Sequence, residues 1–256
     1  ICMKKRICGL AAALTAGVCL CTGLSLPASA VSMDELGDYC ADAAIQLNRV
    51  RAFWGLKPFY SVPKDSALGQ ATLKRAMEYL TTKSGTRPDG SDWSTVLDEY
   101  NVPWNEAVEY RAYGYDDPKD MVNACVKSPS LLEDILNEDY EFVYVAASAY
   151  EYDSVVYCIT IIGNSDDILD DAGFVTTQGV TGDADYDSVI DINDAFMTLR
   201  AYSMVSAGAE LPMCNLQQQN CDIDGDGSIT LQDALNILTY YSYASAGKSI
   251  QWSDLL

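Results

Sequence analysis

Asp222-Ile223-Asp224-Gly225-Asp226-Gly227-Ser228-Ile229-Thr230-Leu231-Gln232-Asp233 puts oxygen-bearing side chains at positions 1, 3, 5, 9 and 12 of a twelve-residue stretch. Earlier in the chain, Asp183-Ala184-Asp185-Tyr186-Asp187-Ser188-Val189-Ile190-Asp191-Ile192-Asn193-Asp194 repeats that spacing, with an apolar residue at position 8 of each copy, Ile190 and Ile229. Hard cations such as calcium take roughly six to eight oxygens at about 2.3–2.6 Å, and a loop wrapped around one ion supplies them from alternate positions plus a backbone carbonyl at position 7. The expected ligands are therefore Asp183, Asp185, Asp187, Val189, Asp191 and Asp194 for one ion. For a second ion they are Asp222, Asp224, Asp226, Ser228, Thr230 and Asp233.

This is the EF-hand spacing, and each loop runs into an amphipathic helix. Ala195, Phe196, Leu199 and Tyr202 match Ala234, Leu235, Leu238 and Tyr241 position for position. One Asp-rich loop is often a solvated turn; two with matching exit helices are not explained that way. Gly179 to Gly182 and Gln217 to Cys221 read as polar turns, so each copy is expected to be half an EF-hand, a loop plus one helix. Nine carboxylates crowd the two loops, so binding and folding of this small all-α domain are expected to be coupled. Position 6 normally carries glycine in a left-handed conformation. Ser188 stands there in the first loop, at a cost on the order of 1 kcal/mol, which predicts weaker calcium binding there than at the second.

The duplicated loop–helix resembles the type I dockerin family of cellulose-degrading ruminal and gut bacteria, over residues 179–247. The resemblance implies calcium-dependent folding and docking to a cohesin domain of a scaffoldin or cell-surface protein, in a setting of polysaccharide degradation. It places partner recognition at loop positions 10 and 11, here Ile192, Asn193, Leu231 and Gln232, and along the helices. The two pairs differ and carry no charge, which points to an apolar interface.

Outward from this tail, residues 1–30 read as a secretory signal peptide. Met3-Lys4-Lys5-Arg6 is basic, an apolar stretch follows to Leu26, and Ala28-Ser29-Ala30 is a small-residue cleavage site. The apolar stretch is short for a membrane span. The formal charge of −21 becomes −24 once Lys4, Lys5 and Arg6 leave. Such acidity disfavours nucleic acid and anionic membranes and suits cations. Of the nine cysteines, Cys40, Cys125, Cys158, Cys214 and Cys221 lie beyond the leader. Export permits disulfides. Cys214–Cys221 and Cys125–Cys158 are candidate pairs that leave Cys40 over.

Residues 36–163 read as an α+β domain, followed by a linker over 164–178. Helical spacing marks Met33 to Trp54, Ser66 to Lys83, Trp93 to Tyr100, Pro118 to Val126 and Ser130 to Asn137. Strand-like runs mark Phe142 to Tyr150 and Ser154 to Ile162. The chain contains no histidine, which removes Ser-His-Asp triads, Cys-His pairs and His-ligated zinc. Paired carboxylates remain open to glycosidase chemistry, from Glu106, Glu109, Asp116, Asp117, Glu133 and Asp134. Tyr110, Tyr113, Tyr115, Tyr150, Tyr152 and Tyr157 offer aromatic faces for a glycan or peptide, or plain packing on a sheet.

Leu47-Asn48-Arg49-Val50-Arg51, Gly55-Leu56-Lys57-Pro58, Thr86-Arg87-Pro88-Asp89-Gly90-Ser91 with Trp93, and Ser128-Pro129 through Ile135-Leu136-Asn137 are similar to motifs of the bacterial CAP superfamily, the SCP-like extracellular proteins. That resemblance implies an α-β-α sandwich with a cleft carrying two histidines and acidic residues. Gly85 and Leu131 stand where the histidines fall, and Glu109 matches the surviving acid. The expectation is a domain that binds rather than catalyses. The alternative is a hydrolase acting on cell-wall polysaccharide or protein through carboxylates such as Glu109.

Overall fold

The computed structural model describes residues 33–82, 84–115, 117–149, 155–163 and 180–256. The signal peptide at 1–30 and the linker at 164–178 lie outside them. The elements in chain order are α1 (Met33–Phe53), β1 (Tyr60–Ser61), α2 (Ala67–Thr82), α3 (Thr95–Glu99), β2 (Ala107–Tyr113), α4 (Pro118–Cys125) and α5 (Pro129–Ile135). Then come β3 (Tyr140–Ala149), β4 (Val155–Gly163), α6 (Ile192–Ser206), α7 (Asn215–Cys221), α8 (Leu231–Ser245) and a 3-10 turn, Trp252–Asp254. No helix among the described residues is long and apolar enough to cross a membrane. The described chain divides into two compact units, one of 33–44, 61–134 and 139–163, the other of 45–60, 135–138 and 180–256.

The first unit is built on a four-stranded sheet of order β1-β3-β4-β2, with β4 antiparallel to both β3 and β2. Ile159, Thr160, Ile161 and Ile162 are all buried, so both faces of β4 are covered. Adjacent strand residues point to opposite faces. On β2, Glu109 pairs with Arg75 of α2, and its neighbour Tyr110 donates its hydroxyl proton to Asp134 of α5. Helices α2 and α5 therefore sit on opposite faces of the sheet. Leu73, Ala76, Tyr79 and Leu80 of α2 pack on Tyr144 and Ala146 of β3. The N-terminus of α4 is capped by Asp117, which accepts from the Lys119 amide at 2.7 Å, with Pro118 at the first helical position. Strand β2 was not among the expected elements.

In the second unit, Arg51 donates to the carbonyls of Lys57 at 2.6 Å, Ile135 at 2.7 Å and Asn137 at 2.9 Å. Asn48 exchanges two hydrogen bonds with the Phe59 backbone. These bonds fasten residues 57–59 and 135–137 to the last turns of α1. Ala52 enters one apolar cluster with Ala184, Tyr186, Met197, Ala201, Met213 and Cys221. Helices α6 and α8 pack against each other, and a second cluster joins Ala195, Ile223 and Ile237 to Ile190 and Trp252.

The polar turn expected at Gln217 to Cys221 is instead the helix α7, so the second loop does have a helix in front of it. Its polar residues are its anchors. Buried Gln217 donates to the carbonyls of Ala52 at 2.9 Å and Ala184 at 3.0 Å, and Asn220 donates to that of Asp183 at 2.6 Å. The same helix separates Cys214, its N-cap, from Cys221, its last residue, by about 10 Å of rise, beyond disulfide reach. Cys125, Cys214 and Cys221 are free thiols, so neither candidate pair is formed.

Candidate metal centre

The two Asp-rich loops fold alike. Position 4 is left-handed in both (Tyr186 φ 64, Gly225 φ 70), as is position 6 (Ser188 φ 65, Gly227 φ 84). The strain expected at Ser188 is therefore real, since only glycine enters that region freely. The position-1 carboxylate bends the chain around itself. Asp183 accepts from the amides of Asp187 at 3.1 Å and Ser188 at 3.0 Å, and Asp222 from those of Asp226 at 3.1 Å and Gly227 at 2.8 Å.

Position 12 closes each ring. Asp194 accepts from the amides of Ala184 at 2.7 Å, Asp185 at 3.2 Å and Asp191 at 2.7 Å. Asp233 accepts from those of Ile223 at 2.9 Å and Thr230 at 2.8 Å. The same residues complete capping boxes for α6 and α8, with Asp191 and Thr230 as N-caps. The Asp-rich loop and the helix start are thus one hydrogen-bonded device.

Of the expected ligands, Asp183, Asp185 and Asp194 each bring one oxygen within 4.8 Å of the others, as do Asp222, Asp224 and Asp233. Asp191 and Thr230 are engaged as caps, accepting from Asn193 at 2.6 Å and Gln232 at 3.1 Å. Asp187 and Asp226 accept from the amides two residues ahead, Val189 and Ser228, both at 2.8 Å. The first ring is buried and the second lies open, with Asp224 and Asp226 exposed. Burial, with the charge of Asp187 adding to it, pushes the Asp185 carboxyl up to about 7 despite the guanidinium of Arg49. Burial likewise lifts Asp194 to about 7 and raises Asp183. Asp185 Oδ1 is buried and takes no hydrogen bond. A buried carboxylate ring with one oxygen lacking a donor is a set of hard oxygens of the kind a divalent cation takes.

A second feature of these helices is their outer face. Ile192, Phe196 and Leu199 of α6, and Leu231, Leu235 and Leu238 of α8, are all exposed, the most open being Phe196 at 62% and Ile192 at 56%. They occupy matching positions at i, i+4 and i+7, one stripe per helix. The two amphipathic faces read from the sequence are therefore only partly core. Ala195 and Ala234 are buried, whereas Phe196 and Leu235 point outward. Of the four expected recognition residues, Ile192 and Leu231 belong to this stripe. Asn193 bonds back to Asp191 at 3.1 Å and Gln232 to Asn236 at 2.9 Å.

In the first unit, Glu109 is held rather than poised. Arg75, fully buried, grips it with Nε at 2.9 Å and Nη2 at 3.0 Å, and the Tyr79 hydroxyl donates to the same carboxylate. Arg75 also reaches Glu78 at 2.6 Å, which Arg87 engages at 2.8 Å before continuing to Glu99 at 2.6 Å. Burial tends to raise the Glu78 carboxyl, but hydrogen bonds from Arg87 and Arg75 win and hold it below its usual range. Arg111 stacks on the Tyr79 ring at 4.5 Å, with its guanidinium 4.0 Å from where a side chain at Gly85 would begin. Leu131 is buried. Asp134 is tied to Tyr110, and burial raises its carboxyl. Tyr113 is exposed. Asp116, Tyr150 and Tyr152 lie outside the described residues. Arg75, which organises this centre, was not singled out in the sequence, where nothing marks it as buried.

No family model and no curated protein matches this chain. Among solved structures it is similar to an extracellular protein containing an SCP domain from Bacillus anthracis str. Ames, at 14% identity over 54% of this chain and 45% of that one, TM-score 0.45. It is similar to an outer surface protein from Borrelia burgdorferi, at 16% identity over 49% of this chain and 92% of that one, TM-score 0.44. A third is a cysteine-rich secretory protein from Staphylococcus aureus subsp. aureus Mu50, at 16% identity over 52% and 40%, TM-score 0.43. This chain spans less than half the length of the first and third of these.

Proposed function

We propose that this chain is a secreted docking protein: a dockerin-type tail that folds around two calcium ions and seats on a cohesin, carrying a CAP-like domain that binds a ligand rather than transforming one. The observation that carries the reading is the duplication itself. Two loops share the same hydrogen-bonded wrap and the same left-handed positions, and each delivers the same apolar stripe to solvent. Ordering the loops with metal orders the helix starts through the shared caps, which makes the stripe metal-dependent. Two adjacent exposed apolar stripes on a monomer mark an interaction surface.

The state of Glu109 supports the binding role of the other domain. A carboxylate gripped by a bidentate arginine and a tyrosine hydroxyl is a poor general acid or base, because its lone pairs are committed and its charge is neutralised. The test is capture of the full chain by an immobilised panel of cohesins, with millimolar calcium or with EDTA. Capture in calcium that is lost in EDTA, and lost again in Phe196→Ser/Leu235→Ser with unchanged circular dichroism, is the expected result. Equal capture in EDTA, or none by any cohesin, contradicts it.

A further inference from the structure

We infer that Arg49 is a built-in counter-cation of the first Asp loop, holding that loop closed without metal and lowering its affinity for calcium relative to the second. The inference rests on the calcium reading above and adds the residue that sets the difference between the two sites.

Arg49 belongs to the second unit and reaches the loop with both terminal guanidinium nitrogens: Nη2 lies 2.7 Å from Asp185 Oδ2, and Nη1 lies 3.4 Å from Asp187 Oδ2. The Asp185 and Asp187 side chains are 4% and 12% exposed. The pair is thus largely shielded, where an ion pair is screened least. The planar fork suits two carboxylates at once in a way an ammonium does not. Among the described residues, no cation pairs with Asp222, Asp224, Asp226 or Asp233. The two loops share left-handed positions 4 and 6, and this pairing is one of the differences between them.

The pairing leaves room for an ion. Arg49 engages Oδ2 of Asp185, while Oδ1 of the same carboxylate is buried with no hydrogen-bond partner. In an otherwise saturated loop, that orphan is the second observation pointing to a ligand beyond the cluster of acids itself. An entering dication shares Asp185 with the guanidinium and is repelled by it, so the first site is preformed but weaker. In the open second loop the acids are steadied by loop amides and the Thr230 hydroxyl alone among the described residues, with no cation, so that loop depends on metal for its order. Ser188 also weakens the first loop, so Arg49 is tested with Ser188 unchanged.

The experiment uses the full chain with the second loop disabled by Asp224→Asn and Asp226→Asn, titrated with calcium by calorimetry and melted in EDTA. Arg49→Gln is expected to bind calcium at least tenfold more tightly and to lower the EDTA melting temperature of the second unit. Arg49→Lys keeps the charge without the fork. It is expected to hold the parental affinity within about threefold while still melting earlier in EDTA. Unchanged or weaker calcium binding in Arg49→Gln overturns the inference, as does an EDTA melt that neither variant moves. A parent chain with both loops intact that takes up no calcium sinks the docking reading along with the affinity claim. Uptake that Arg49→Gln leaves untouched sinks the Arg49 claim alone.

Discussion

Removing the Arg75 side chain is the most demanding perturbation of the first unit. Its guanidinium holds Glu109 through two bonds and Glu78 through one, and it accounts for the buried charge on the α2 face of β2. Arg75→Ala deprives Glu109 of its bidentate partner while the Glu109 side chain stays 3% exposed. Glu78 keeps Arg87. Glu109 keeps the Tyr79 hydroxyl, and losing the arginine partner of a buried carboxylate costs about 3–5 kcal/mol, against a domain stability of about 5–15 kcal/mol. A partner substitution separates charge from packing. In Arg75→Met/Glu109→Leu the buried carboxylate is gone with its arginine, and most of the loss should be recovered, to within about 1–2 kcal/mol of the parent, because apolar replacements of a buried pair are often neutral. Native-state hydrogen exchange at the amides of Thr160 and Ile161 in β4 reads the free energy of this unit apart from the tail. A loss below about 1 kcal/mol in Arg75→Ala, or a double variant as unstable as the single, would refute the claim that this ion pair is buried and unreplaced by water.

Three further outcomes are expected. Glu78 is held below its usual carboxyl range, so its contribution is fully present above its unfolded value of about 4.3 and fades as pH falls through the lower folded value; Glu78→Gln should flatten the acid limb of the first unit's stability curve below about pH 4. Gly227→Ser puts a side chain at φ 84; under the proposed calcium reading it should weaken uptake by the second loop about fivefold in calorimetry, for a strain of about 1 kcal/mol. Gly55 sits at φ 75 with the Pro212 carbonyl 2.6 Å from any added Cβ. Gly55→Ala should therefore cost the second unit about 2 kcal/mol or more in urea unfolding, and a cost below about 0.5 kcal/mol would contradict the close approach.

The helices of the first unit were legible because their core residues are aliphatic and recur with the helical period, as Leu68, Ala71 and Ala76 do. Strand β2 was not, because its α2 face carries Glu109 and Arg111 where a strand pattern would show Val or Ile. Ion pairing and stacking replace hydrophobic contact there, and charge reads as surface. The helix α7 was hidden for a similar reason. Asn215 to Cys221 is almost wholly polar, and its burial is made affordable by amide side chains that bond to backbone carbonyls. The repeated Asp-rich loops were visible in the sequence, since the spacing of their acids is a local property. The pairing of Arg49 with one of them was not, because it joins α1 to residues far along the chain.

Trp252 bears on where an expression fragment should end. Its ring stacks on Tyr240 at 4.3 Å between centroids and closes over Gly182, so tightly that a methyl group at that glycine would come within 2.5 Å of it. The duplicated pattern alone would invite a stop codon after Gly247. Such a clone would strip the lid from Ile190 and Ile237, expose an apolar seam beside the first turn of the tail, and invite aggregation that a fragment running on through Leu256 avoids.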